Sequence, residues 1–290
     1  SINLELTTHS FDADWKKSNS NGLSSVIGSQ LLVQQNRNKP GTSTAHFVPN
    51  YELYRGGLYV IESLERAENT FELGARYDYQ FISIVGRDQA QDLFRNELSF
   101  QNFTLTLGYN RKISREWNFS TNLGSAWRPP NVAELYAFGK STDNVLTEDD
   151  RKISPEKGFK WIGSLTYFNN KFDTELTLFA NYIENFINSR PRGITNTVRG
   201  AFPFYTFEQS DALLFGADYS IKYNHTDRLS STIRGNYLWS KDLSNDAFFV
   251  GQAPGSIGYE LNVEIPTFKG SLSKLSVSSN YTFRQFQAPQ

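Results

Sequence analysis

Three arginines, Arg190, Arg192 and Arg199, stand just ahead of the aromatic run Phe202, Phe204 and Tyr205. Guanidinium groups form paired hydrogen bonds with anionic oxygens such as carboxylates, and aromatic faces suit flat rings. Tyr136, Phe138 and Lys140 repeat the combination earlier in the chain. Residue by residue, ordinary rim charge and border aromatics account for these side chains. As a group they are candidates for capturing an anionic ligand with flat, chelating rings.

Other chemistry is sparse. There is no Gly-x-Ser-x-Gly elbow, no His-Glu-x-x-His pair and no phosphate-binding glycine loop, so no enzyme is expected. His9, His46 and His225 are too far apart in sequence to suggest a shared metal site. Glu148, Asp149 and Asp150 offer oxygens for a hard cation, yet Arg151 and Lys152 follow at once, and a solvated loop is expected there. Neither a resident metal nor a cofactor is therefore expected. With 29 Lys plus Arg against 30 Asp plus Glu, the net charge of −1 gives no electrostatic footprint for nucleic acid. The absence of Cys excludes disulfides and thiolate chemistry and leaves the compartment open.

The elements that must carry these residues read as strands. In Asn69–Ile82, Phe71, Leu73, Ala75, Tyr77, Tyr79 and Phe81 share one parity, while Glu72, Gly74, Arg76, Asp78 and Gln80 share the other. That is the period of a strand with one apolar face, longer than most strands of soluble domains. Phe172, Leu176 and Leu178 alternate in the same way with Asp173, Glu175 and Thr177, as do Trp117, Phe119, Leu123 and Trp127 with Asn118, Ser120, Asn122 and Arg128. About twelve strands follow: 2–16, 22–35, 53–65, 69–84, 95–111, 116–128, 157–169, 171–187, 198–223, 228–242, 254–265 and 271–286. No helical period competes with them. Only 38% of the 290 residues are hydrophobic while 15% are aromatic, too thin a spread for a shared interior but suited to sheets with one wet face. No run reaches the roughly 18 apolar residues of a membrane helix, which leaves a strand-built span open.

Short turns at 17–21, 66–68, 112–115, 169–170, 224–227 and 266–270 alternate with longer connections at 36–52, 85–94, 129–156, 188–197 and 243–253. Tight turns at one end and long loops at the other belong to transmembrane barrels more than to Greek-key sandwiches. Trp15, Tyr54, Trp117, Trp127, Trp161, Trp239 and Phe286 near strand ends suit interfacial girdles. The chain contains no Met and begins Ser-Ile-Asn-Leu-Glu-Leu, which points to a piece of a larger protein.

At Ala126–Tyr136, "AWRPPNVAELY", the sequence resembles TonB-dependent outer-membrane receptors, whose Arg-x-Pro-x-x-x-Glu-Leu signature is met by Arg128, Pro129, Pro130, Asn131, Glu134 and Leu135. "FVPNYELYRGGLYVIE" (47–62), "ISPEKGFKWIGSLTY" (153–167), "NYIENFI" (181–187) and "FPFYTFEQSDALLFGADYSIKY" (202–223) follow the family's order over almost the whole chain. The resemblance implies an all-β, antiparallel up-and-down barrel section in the bacterial outer membrane, about twelve strands of a barrel of roughly 22. It spans 1–290 with plug domain and terminal strands absent. The implied function is uptake of a scarce metal chelate, first of all a ferric siderophore, with an energy-coupling TonB protein acting through the plug. Cobalamin, haem, a zinc or copper chelate or a glycan stay open as cargo, and a passive porin or a secreted β-sandwich adhesin as other classes. The signature residues are expected to be architectural, with two prolines ending strand pairing and Glu134 bridging to an arginine of the wall. Arg76, Asp78, Asp173, Glu175 and Arg234 are expected on a wet inner wall facing a plug.

Overall fold

A computed structural model describes residues 3–41, 48–87, 92–136, 153–197, 200–249, 251–266 and 272–285. The strands are β1 Leu4–Ser18, β2 Leu23–Asn38, β3 Asn50–Arg66, β4 Asn69–Arg87, β5 Leu93–Lys112, β6 Trp117–Arg128, β7 Glu156–Phe168, β8 Phe172–Thr197, β9 Gly200–Thr226, β10 Leu229–Asp242, β11 Ser256–Pro266 and β12 Leu272–Thr282. They form one sheet in sequence order, each pairing antiparallel with its chain neighbours. That is the up-and-down barrel section expected from the alternation, and among the described residues no second sheet packs on it.

The two faces separate as the parity requires. On β4, Phe71 and Leu73 are each 50% exposed, whereas Gly74, Asp78, Gln80, Ile82 and Ile84 of the other parity are buried. A sandwich would bury the first set against another layer. Here it lies open, along with Phe103, Leu105, Leu123, Leu178, Phe215, Ile233 and Val277.

Register shows how steeply the strands tilt. One rung runs Lys17–Ser25–Glu62–Leu73–Leu107–Leu123–Trp161–Ala180–Phe215–Trp239 across β1 to β10. Lys17 lies beside the short-turn end of β1, while Trp239 lies near the opposite end of β10. Nine strand spacings of about 4.8 Å, tilted about 40°, climb roughly 25–30 Å, about the height of the apolar band of such a barrel. The rung is charged at its foot, aliphatic in its middle and aromatic at its top. Rings pair along both borders: Phe71 with Tyr109 at 5.1 Å, Trp117 with Tyr167 at 4.6 Å and Phe172 with Tyr223 at 4.8 Å near the short turns, and Phe215 with Trp239 at 4.7 Å at the far end.

The polar face is tied by side-chain bonds. Arg76 Nε donates to both Asp78 oxygens at 2.9 and 2.8 Å, and its Nη1 donates to Gln30 Oε1 at 2.6 Å. Arg55 donates to Gln80 alongside. Gly57 faces this group because a Cβ there would land on the Arg76 guanidinium and the Asp78 carboxylate.

Four expectations change. Residues 188–197 are not a loop: β8 continues to Thr197 and pairs on with β9. Likewise β4 runs to Arg87 and β5 begins at Leu93, so the connection expected at 85–94 is mostly strand. A short helix, α1 Val132–Tyr136, sits in the connection after β6, where no helix was expected. Trp127, assigned to the apolar face, instead points its indole N–H at Asp78 Oδ2, 3.4 Å away on the polar face. The cause is local. Pairing of β5 with β6 stops at Thr106 and Gly124, and the Ser125 hydroxyl accepts the Leu105 N–H at 3.0 Å in place of a ladder bond. Phe286 lies outside the described residues.

Candidate functional site

The signature residues build a brace at the long-connection end. Arg128 closes β6 and reaches two carboxylates. Its Nε and Nη2 donate to Glu156 at 2.7 Å each, and its Nη1 donates to both Glu134 oxygens at 2.8 and 2.9 Å. Pro129 and Pro130 are buried and stop the pairing of β6. Asn131 then caps α1: its Oδ1 accepts the Glu134 N–H at 2.8 Å, and Glu134 Oε2 accepts the Asn131 N–H at 2.8 Å. That reciprocal pair is a capping box, which lets a helix of this length persist. Val132 and Leu135 of α1 press into Leu53, Ile82 and Ile84 on the inward face of β3 and β4. The inner wall is therefore apolar at this end, where alternation alone suggested polar residues throughout. Glu134 does bridge to an arginine, and that arginine is Arg128.

Glu156 carries the brace to the next hairpin. Its Oε1 also accepts the Ile187 N–H at 2.7 Å. Register shifts between Ile183 and Phe186, with Asn185 at φ 54°. Asp211 accepts the Asn185 N–H at 3.1 Å, and Gln209 Nε2 donates to the carbonyls of Asn185 and Ser154, each at 2.8 Å. Side chains thus take up both backbone groups of Asn185 where the bulge interrupts the ladder.

Beyond it the hairpin leaves the wall. β7 pairs with β8 only to Glu184, and β10 pairs with β9 only to Ala212. Pairs from Phe186 with Ser210 to Thr197 with Gly200 have no further strand beside them among the described residues. At about 3.3 Å per residue this two-stranded arm extends roughly 35 Å. A second irregularity falls between Pro191 and Gly193, and Gly193 takes φ 129°, a conformation L side chains rarely adopt.

Arg190 sits at the base of the arm. Its Nη2 lies 2.8 Å from Asp242 Oδ2, and its Nη1 lies 3.8 Å from Glu208. Asp242 is fully buried and also accepts the N–H groups of Ser244 and Asn245 at 3.0 Å each. One carboxylate therefore ties the arm to the turn that follows β10. Replacing Asp242 by Ala is expected to cost about 2–3 kcal/mol locally, because Arg190 loses its buried partner. Hydrogen exchange of amides 186–210 should accelerate while amides 172–180 keep their protection.

The arm gathers several candidate residues. Arg190 and Arg192 lie on its β8 side, and Phe202, Phe204 and Tyr205 lie on its β9 side, opposite Thr195, Gly193 and Pro191. Tyr136 ends α1. Arg199, Phe138 and Lys140 lie outside the described residues, as do His46, Glu148, Asp149 and Asp150. Among the described residues, no group of three or more His, Asp or Glu comes together. Asp242 and Glu156 were not singled out from sequence. Asp242-x-Ser-Asn carries the pattern of a side chain bonding the backbone two and three residues on, and that signal was there to be found.

The chain matches the family described as TonB dependent receptor-like, beta-barrel, over residues 1–288. Among solved structures it is similar to the copper transporter OprC, with 14% identity and a TM-score of 0.79, covering 99% of this chain and 45% of that one. It is similar to the FrpB iron transporter from Neisseria meningitidis, F3-3 variant, with 13% identity, a TM-score of 0.65 and coverage of 96% and 48%. A third is the ferric yersiniabactin uptake receptor FyuA from Yersinia pestis, with 12% identity, a TM-score of 0.63 and coverage of 95% and 42%. At such identities the likeness is one of fold. The chain spans under half the length of each of these structures.

Proposed function

Because this chain belongs to the TonB-dependent receptor β-barrel family, we propose that it is wall and capture rim of a receptor that imports a scarce metal chelate, a ferric siderophore first of all. The family places it in the bacterial outer membrane and makes it no enzyme. The rest of the reading is functional. A plug and further strands of the same protein would complete the barrel, with TonB supplying energy through the plug.

The observation that carries this reading is the arm of β8 and β9. It stands beyond the bilayer band, is pinned at its base by Arg190 and Asp242, and carries Arg192, Phe202, Phe204 and Tyr205 along its length. An arm that carries Arg192 and three aromatic residues beyond Arg190 suits a large anionic chelate better than a narrow pore does. Copper, haem and cobalamin complexes share part of that chemistry and form the alternatives.

The test is uptake by cells expressing the full-length protein, offered radiolabelled ferric siderophores, a copper chelate, haem and cobalamin in parallel. Ferric chelate uptake is expected, and it should vanish when the energising protein is deleted. Removing the arm, residues 190–206, should weaken capture roughly tenfold or more, as loss of a binding hot spot does. Uptake of another cargo alone would replace the siderophore reading. Uptake indifferent to the energising protein would make the barrel a passive pore.

A further inference from the structure

A carboxylate faces the bilayer. Glu62 shares its rung and its face with Leu73, Leu107, Leu123 and Trp161, all on the apolar side of the wall. It lies close to the short-turn end of β3, and Phe71 and Tyr109 of the lower aromatic border stand one pair nearer the turn. Its hydrogen-bond partner is a hydroxyl: Ser25 Oγ donates to Glu62 Oε2 at 2.7 Å. Lys17 follows on the same face beyond Ser25, two strands from Glu62, so the two charges are roughly 10 Å apart at the backbone. Among the described residues neither forms an ion pair with an opposite charge.

Beside Glu62 the wall is hollowed. A groove of about 600 Å³ runs between Leu64, Phe71 and Tyr109 on one side and Trp161 on the other, floored by Leu73 and Leu123. The indole of Trp161 leans toward the turns because Gly163 leaves room beneath it: a Cβ there would fall 2.9 Å from the ring. The lean is fixed by a bond from Trp161 Nε1 to Thr121 Oγ1 at 3.0 Å. The groove is apolar along its length and acidic at the end that meets the head-group layer.

An ionised carboxylate at the edge of hydrocarbon is costly unless something cationic covers it. A lone ammonium two strands away has the matching need for an anion. A phosphoethanolamine head group supplies both, and its acyl chain has the shape and polarity of the groove. We propose that this groove is a binding site for a phospholipid with a primary-ammonium head group, the ammonium on Glu62, the phosphate on Lys17 and one acyl chain along Leu73 and Trp161. The site rests on the membrane placement given by the family and not on the identity of the cargo.

The experiment is native mass spectrometry of the full-length protein in mild detergent, titrated with phosphatidylethanolamine, phosphatidylcholine and phosphatidylglycerol of matched chains. Phosphatidylethanolamine should bind about tenfold tighter than either of the others, the scale of one charge-assisted hydrogen bond. Glu62→Gln should bring it level with phosphatidylcholine, whereas Glu175→Gln, on the polar face of β8 and away from the groove, should leave the preference intact. Equal binding of the three lipids to the unaltered protein overturns the proposal, and so does a preference that survives Glu62→Gln. Were Glu62→Gln to fail in assembly, the three-lipid comparison on the unaltered protein still decides. Cargo uptake is read separately, so this site and the transport reading stand or fall apart.

Discussion

Leu176→Arg is expected to keep the protein from assembling in the membrane, at a cost of about 2–4 kcal/mol for an arginine facing lipid near the bilayer midplane. Thr177→Arg, one residue along, is expected to assemble. The contrast follows from period and depth. Leu176 lies four residues in from Phe172, whose ring meets Tyr223 in the lower aromatic border, and its side is 41% exposed on the apolar face. The residues paired with Leu176 on that face are Leu165 and Tyr219, so a charge placed there meets at most a neutral hydroxyl or must snorkel along the strand. Thr177 points the other way, where its hydroxyl lies 2.7 Å from that of Ser164, and a guanidinium there meets water and the carboxylates of Glu175 and Asp218. Heat-modifiable gel mobility and the fraction recovered in outer membranes would read both variants. Equal behaviour at the two positions would mean that the faces have been assigned the wrong way round.

How much of this was legible in the sequence varied with the length of the pattern. β4 shows its faces over many residues, and twofold alternation that long leaves little choice of register. The late part of β6 did not, because a single hydroxyl decides it. Ser125 takes the Leu105 N–H, the ladder stops, and Trp127 turns inward although its parity says outward. Residues 188–197 read as a loop because Pro191 and Gly193 usually break strands. In a two-stranded arm with open edges, a missing N–H and a bulge cost little, so pairing continues. α1 is too short to show a 3.6-residue period, yet Asn131-x-x-Glu134 directly after two prolines carries a capping-box signal. Of the candidate capture residues, the shared arm was partly visible as proximity in sequence. What could not be read was its base, since Arg190 and Asp242 meet only through the tertiary path of β9 and β10.

Arg128→Ala is expected to destabilise the outer end of the barrel by about 2–3 kcal/mol, above the scale of an exposed ion pair but below that of a fully buried one, because the Arg128 side chain is itself 42% exposed while its partners are not. Two carboxylates are stranded rather than one. The side chains of Glu134 and Glu156 are each only 10% exposed, and between them they take all four of the Arg128 hydrogen bonds. Each also holds backbone elsewhere: Glu134 the first turn of α1, Glu156 the N–H of Ile187 where the arm begins. Loss of the guanidinium therefore reaches both the helix that packs on Ile82 and Ile84 and the base of the arm. Arg128→Lys should recover little, because one ammonium cannot serve two bidentate partners. The triple variant Arg128→Met, Glu134→Gln, Glu156→Gln should be more stable than Arg128→Ala, since no buried charge is left alone. Urea unfolding in detergent, with hydrogen exchange over 131–136 and 186–197, separates these cases. A cost below about 1 kcal/mol for Arg128→Ala, the scale of an exposed pair, would mean that the brace is ornamental, and the signature would then have to be explained by contact with something outside this chain.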